Sequence, residues 1–200
     1  MSPAASSTAV PYDADKPQLS HPDAADAIAG RLAPIEGDLS TGDRAELRRI
    51  SPHTPFTPTL WKLLLDYGVE DPPAWWNPSS DDREDEWGKR WATLVMGMAH
   101  CAGLHERGNS YDRGEKFGET LYETGWAEDR LVRLLETPPE RLHEPLRRLA
   151  QYLSSKSQVA DWTAVARLLL DTEEYAEKTR LAIARGFYRA QYEDEEAQSD

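Results

Sequence analysis

The sequence predicts an all-α protein, a compact bundle of about eight or nine helices. Three observations predict it. From His21 onward apolar residues recur in steps of three and four. Capping residues, prolines and glycines interrupt that pattern at helix-length intervals. No segment alternates with the period of two that a half-buried strand requires.

The elements follow in order. Pro22-Asp23 opens a short helix carrying Ala24, Ala27, Ile28 and Leu32 and ending near Pro34. Ser40 or Thr41 caps a second, with Arg44, Leu47, Arg48 and Arg49. Thr57-Pro58 starts a third, holding Leu60, Trp61, Leu64 and Leu65 until Gly68 stops it. A Pro/Trp loop follows at 72–78. The longest helix then begins among carboxylates, whose charge suits its positive N-terminal end. Its residues Trp87, Trp91, Leu94, Val95, Met98 and Ala102 form one stripe to be buried.

Phe117 and Leu121 mark the next helix, closed by Gly125. In the one after it, Leu131, Leu134 and Leu135 take one side, and Arg130 and Arg133 another, before Pro138-Pro139 breaks it. Leu142, Leu146, Leu149 and Leu153 form the following stripe, in which Pro145 either kinks the helix or restarts it in its first turn. Asp161 caps a helix with Trp162, Val165, Ala166 and Leu169 inward. The last helix runs from about Glu173 to Tyr192, with Tyr175, Thr179, Ala182, Ile183, Gly186 and Phe187 facing the core.

The expected organisation is a Ser/Ala/Pro-rich disordered leader at 1–20, one helical domain at 21–192 and an acidic disordered tail at 193–200. Two halves, 21–105 and 114–192, meeting around the Gly108–Gly114 loop are the other arrangement the pattern allows. Mean hydropathy is −0.71. No apolar run approaches the ~18 residues of a membrane span, and no secretion signal is expected at the start. A single cysteine, Cys101, suits a reducing cytoplasm.

Net charge is −13, which favours proteins or small ligands over nucleic acid as partners. Its distribution changes that reading. Residues 1–26 carry −3, the run 81–86 carries −4 and the tail 193–200 carries −5, so the rest is nearly neutral and can hold a basic face. Exposed charges farther away than roughly 8 Å are largely screened from such a face at physiological salt.

Chemistry of the usual kinds finds little support. His100, Cys101, His105 and Glu106 cluster in sequence, but two histidines five apart diverge by about 140° on a helix, so no metal site is expected. Ser110, Tyr111 and Asp112 near His105 lack any signature of an oxyanion hole or a shaped pocket; a tight turn accounts for them, and no catalytic residue is assigned. The carboxylates at 81–86 lack the glycine and alternating spacing of a calcium loop. No cofactor is implied.

The arginines remain. Arg44 and Arg48 share one helix face, with Arg49 about 100° round. Arg107, Arg113 and Lys116 surround the glycine loop, Arg130 and Arg133 pair, and Arg141 and Arg148 lie seven apart, nearly in line, with Arg147 beside them. A guanidinium offers a planar fork of donors matched to phosphate oxygens. These residues are the candidate nucleic-acid contacts. The competing reading is an acidic helical scaffold or nucleic-acid mimic whose arginines form internal ion pairs.

The order of the motifs adds a family. Gly42-Asp43-Arg44-Ala45-Glu46-Leu47-Arg48-Arg49 precedes Phe56, Leu60-Trp61, Leu64 and Gly68. Gly118, Leu121, Gly125, Glu128 and Arg130-Leu131 come next, then Leu146-Arg147-Arg148-Leu149 and Asp161-Trp162 with Ala166-Arg167-Leu168-Leu169. From about 40 to 190 this series resembles the small (CasB-type) subunit of the type I-E CRISPR surveillance complex, Cascade.

The resemblance implies an all-α, non-catalytic, cytoplasmic accessory subunit present in more than one copy. It would pack against a second copy of itself, the backbone subunits and the large subunit along the belly of the complex, beside the crRNA. There it would hold the target and displaced DNA strands of the R-loop. By position, Arg48-Arg49, Arg130 and Arg147-Arg148 match the family's basic elements, and Trp162 and Leu169 its core. Where relatives often open the last helix with basic residues, this chain has Glu173-Glu174, so that end is not assigned to nucleic acid.

Overall fold

The computed structural model describes residues 20–33, 37–76, 83–102 and 113–199, and all side chains among them except those of Arg83 and Arg113. Among these residues the protein is nine α-helices, one 3₁₀ turn and no sheet; its sole β feature is an isolated bridge between Ser51 and Thr54.

Local chemistry sets the helix starts. Helix α1 (His21–Leu32) begins at Ser20, whose hydroxyl accepts from the Asp23 N–H, with Pro22 in the first turn. Helix α2 (Thr41–Arg48) has a full capping box. Ser40 Oγ accepts from Asp43 N at 3.0 Å, and Asp43 Oδ2 accepts from Ser40 N at 3.0 Å. Helix α3 (Pro58–Tyr67) is capped by Thr57 and ends at Gly68, whose φ of 63° is the left-handed geometry glycine adopts without a Cβ penalty. Within α3 the buried face is Thr59, Leu60, Leu63 and Leu64, whereas Trp61 and Leu65 are exposed.

Helix α4 (Arg83–His100) is the centre of the molecule. The sequence predicts one buried stripe, but every residue from Trp91 to Ala99 is buried. Helices α1, α2, α7 (His143–Ser155) and α8 (Trp162–Leu170) all pack against it, so this stretch has no face left for water. Helix α8 is buried almost throughout and lies against α1, α4 and α9 (Glu173–Ala197). Helix α5 (Arg113–Glu123) packs along α9 over its whole length, running in the same direction. Helix α6 (Glu128–Glu136) buries Leu131 and Leu134. The 3₁₀ turn Pro139–Arg141 leads into α7, where Pro145 sits in the first turn and does not kink it. Buried residues from α1 through α9 form one continuous hydrophobic cluster.

Two expectations for the last helix change. Tyr175 is 55 % exposed, and Ala176 takes the inward position in its place, while Thr179, Ile183, Gly186 and Phe187 face the core as expected. The helix also continues past Tyr192 to Ala197, so residues 193–197 are helical although composition predicts a disordered tail. Asp194 anchors that extension by accepting from Tyr122 Oη at 2.9 Å and from Gln198 Nε2 at 2.9 Å.

Candidate nucleic-acid interface

Three helices bring basic side chains together near the C-terminal end of α4. Arg48, at the end of α2, donates from Nε to the carbonyl of Ala99 at 2.7 Å. That carbonyl is one of the last four of α4, which have no partner within their own helix, so Arg48 caps α4 as it fixes α2. His100 follows directly. Its pKa is lowered by burial first, then by the charges of Arg147 and Arg48. From α7, His143 Nδ1 lies 3.1 Å from the Thr93 hydroxyl on α4, and burial lowers its pKa as well. Neither imidazole Nε2 has a hydrogen-bond partner among the described residues. The cluster is therefore Arg48, His100, His143 and Arg147, with both rings neutral at physiological pH.

Helix α7 extends this surface. Leu146, Leu149, Ala150 and Leu153 face inward. Arg147 is half-buried and its charge acts on His100 of α4, Arg148 stands about 100° further round and is exposed, and Tyr152 and Lys156 follow Arg148 in steps of four. Tyr152 packs edge-on to Trp126 at 4.9 Å between centroids. Arg130 lies 5.3 Å over the Trp126 ring, and Lys156 lies 5.7 Å over the Tyr152 ring. Two cations thus flank an aromatic pair that ties the start of α6 to the end of α7.

The predicted contact residues divide accordingly. Arg48 and Arg147 join one cluster, Arg130 and Arg148 the adjoining strip. Arg49, Arg133, Arg141 and Arg148 are exposed, and none has a side-chain hydrogen bond or ion pair among the described residues. Arg147 makes one long ion pair, 3.8 Å to Glu144. Arg44 is half-buried and donates to the Leu39 carbonyl at 2.7 Å, which commits part of its fork to the entry of its own helix. Arg141 belongs to neither group; it follows Glu140 in the 3₁₀ turn. Lys116 lies on α5, away from both. Arg107 and the side chain of Arg113 lie outside the described residues, as do His105, Glu106, Ser110, Tyr111 and Asp112.

A different set of arginines carries the close ion pairs. Arg31 bridges Asp38 at 2.8 Å and Asp66 at 2.7 Å. Arg90 pairs with Glu86 at 2.9 Å, and Arg180 with Glu173 at 2.7 Å and Glu177 at 3.1 Å. Arg185 and Arg189 share Glu115 at 3.0 and 2.8 Å. Sequence reading missed His143, Tyr152 and Lys156. The i, i+4 spacing of Arg148, Tyr152 and Lys156 is the signal that could have found the last two. Among the described residues no three His, Cys, Asp or Glu side chains come together to hold a metal ion.

This is a helical protein that presents grouped cations on one surface and retains its close ion pairs elsewhere. The profile of the family described as CRISPR-associated protein Cse2 matches residues 43–188. The chain belongs to that family, the small subunits of the type I-E Cascade complex. The match takes in α2 through most of α9, and with them the whole cationic surface. Comparison with curated proteins and with solved structures gave no match.

Proposed function

We propose that this protein is a non-catalytic, cytoplasmic accessory subunit that holds R-loop strands in the type I-E surveillance complex. It contacts the backbones of the target and displaced DNA strands beside the crRNA. It packs against the backbone subunits, the large subunit and a second copy of itself. Guide pairing reads the sequence, so only backbone contacts are required of this chain, and a nearly balanced strand exchange is tipped by modest ones.

One observation carries the reading. The arginines that close carboxylates neutralise (Arg31, Arg90, Arg180, Arg185, Arg189) are not those of the α2–α4–α7 surface. Arg48, Arg49, Arg147 and Arg148 keep donors available for phosphate oxygens. Trp126 and Tyr152 stiffen the adjoining strip without consuming the cations that lie on them.

The test is Arg147→Ala with Arg148→Ala in the assembled complex. Target-DNA retention should weaken, and the slope of log affinity against log salt should fall by about 2, near one unit for each phosphate left without its cation. Assembly and helicity should not change. Unchanged retention with an unchanged slope would leave the acidic-scaffold reading in its place.

A further inference from the structure

At the other end of α4 the surface has the opposite character. A groove of about 1150 Å³ opens between Trp75-Trp76, the first turns of α4, the end of α6, the 3₁₀ turn and the start of α9. Glu86 of the groove and His100 of the cationic cluster are fourteen residues apart on α4, roughly 21 Å along its axis.

The groove has apolar walls that water reaches. Trp75 is 46 % exposed and Leu181 56 % exposed, with Leu135, Pro138 and Pro139 between them. Large exposed side chains gathered in a concavity are the usual mark of an interaction surface. Trp76, only 5 % exposed, also lines it, and its indole N–H has no acceptor among the described residues.

The polar lining is strongly one-signed. Six carboxylates face two guanidiniums, and both guanidiniums are occupied. Arg90 binds Glu86, donates to the Leu169 carbonyl at 2.9 Å and lies 4.1 Å over the Trp76 ring. Arg180 is held by Glu173 and Glu177. Glu136, Glu140 and Asp171 have no ion pair among the described residues. A carboxylate rim around an apolar floor complements a cation joined to an apolar anchor. The chain's own segments at 1–19 and 77–82 have more acidic than basic residues, so charge directs the choice to another polypeptide.

We infer that this groove docks a basic segment of another protein, one in which arginine or lysine alternates with large apolar side chains. The apolar residues enter between Trp75 and Leu181, and the cations meet Glu136 and Glu140. This docking is independent of the nucleic-acid reading, since it uses none of the residues of the α2–α4–α7 surface.

The full-length chain, followed by tryptophan fluorescence, can be titrated with three short peptides: alternating Arg and Leu, alternating Arg and Ser, and alternating Glu and Leu. The Arg/Leu peptide should bind saturably, and the other two at least about tenfold more weakly. Leu181→Ser and the double variant Glu136→Lys/Glu140→Lys should each weaken that binding by about tenfold or more. All three positions are exposed, and an unchanged Tm verifies the fold of each variant. Arg147→Ala/Arg148→Ala should bind the peptide as the parent does.

No saturable binding would overturn the inference. So would equal binding of the Arg/Ser peptide with no effect of Leu181→Ser, which describes diffuse attraction to an acidic protein. Self-association that competes with the peptide would replace the foreign segment by a second copy.

Discussion

Two buried polar side chains show how strongly burial scales the worth of one interaction. The thiol of Cys101 is 1 % exposed and donates to the Ala150 carbonyl at 3.3 Å; burial pushes its pKa up to about 12. The thiolate is the reactive form. An aromatic disulfide reagent at mildly alkaline pH should therefore leave the native chain unmodified and titrate one thiol after urea is added. Prompt modification of the native chain would contradict this burial. Asp161 is the second case. It is 6 % exposed, caps α8 by accepting from Thr163 N at 2.9 Å, and also accepts from the Thr163 hydroxyl. Removing it strands two donors of a residue that is 0 % exposed. Asp161→Ala should cost about 2 kcal/mol, against about 1 kcal/mol for Ser40→Ala at the exposed start of α2, both read from urea midpoints.

At the scale of elements, α5 and α9 approach more closely than any side chain allows. A Cβ on Gly186 would lie 1.9 Å from the Glu115 carbonyl oxygen, and one on Gly118 would lie 2.0 Å from that of Ile183. Backbone cannot yield as a flexible side chain does, so the helices would have to separate. Separation would also pull Glu115 from Arg185 and Arg189. Gly186→Ala should destabilise by about 2–3 kcal/mol although alanine is the better helix former. A neutral or stabilising effect would show that the pair does not pack this tightly.

For the whole molecule, charge is sorted along α4. Carboxylates gather toward its N-terminal end, at Glu84, Asp85 and Glu86. Arg48 and Arg147 lie toward its C-terminal end, beside His100. Both placements follow the helix dipole. Burial lowers the pKa of His21, His100 and His143 below the ordinary value. A base with a depressed native pKa takes its proton first in the unfolded chain. Stability is then complete above the unfolded value of about 6.5 and declines as pH falls through it. The urea midpoint should therefore drop between about pH 7.5 and pH 5.5, and His143→Gln should flatten the decline. A midpoint constant over that range would place these rings in water.

The sequence determined the helices, because their signals are local. Ser40 with Asp43, Thr57 with Pro58, Gly68, Pro145 and Asp161 each act within a turn or two of their own position, and each helix starts or stops where they direct. Motif order likewise carried the family. Tertiary structure decided what needs contact across the chain: that α4 is buried all round from Trp91 to Ala99, that Tyr175 faces out, and that Asp194 holds the last turns of α9 through Tyr122. It also decided which cations lie beside carboxylates. Arg31 meets Asp66 across 35 positions and Arg189 meets Glu115 across 74, whereas Arg148 meets none among the described residues. Periodicity reports which face of a helix is apolar; only packing reports what stands opposite it.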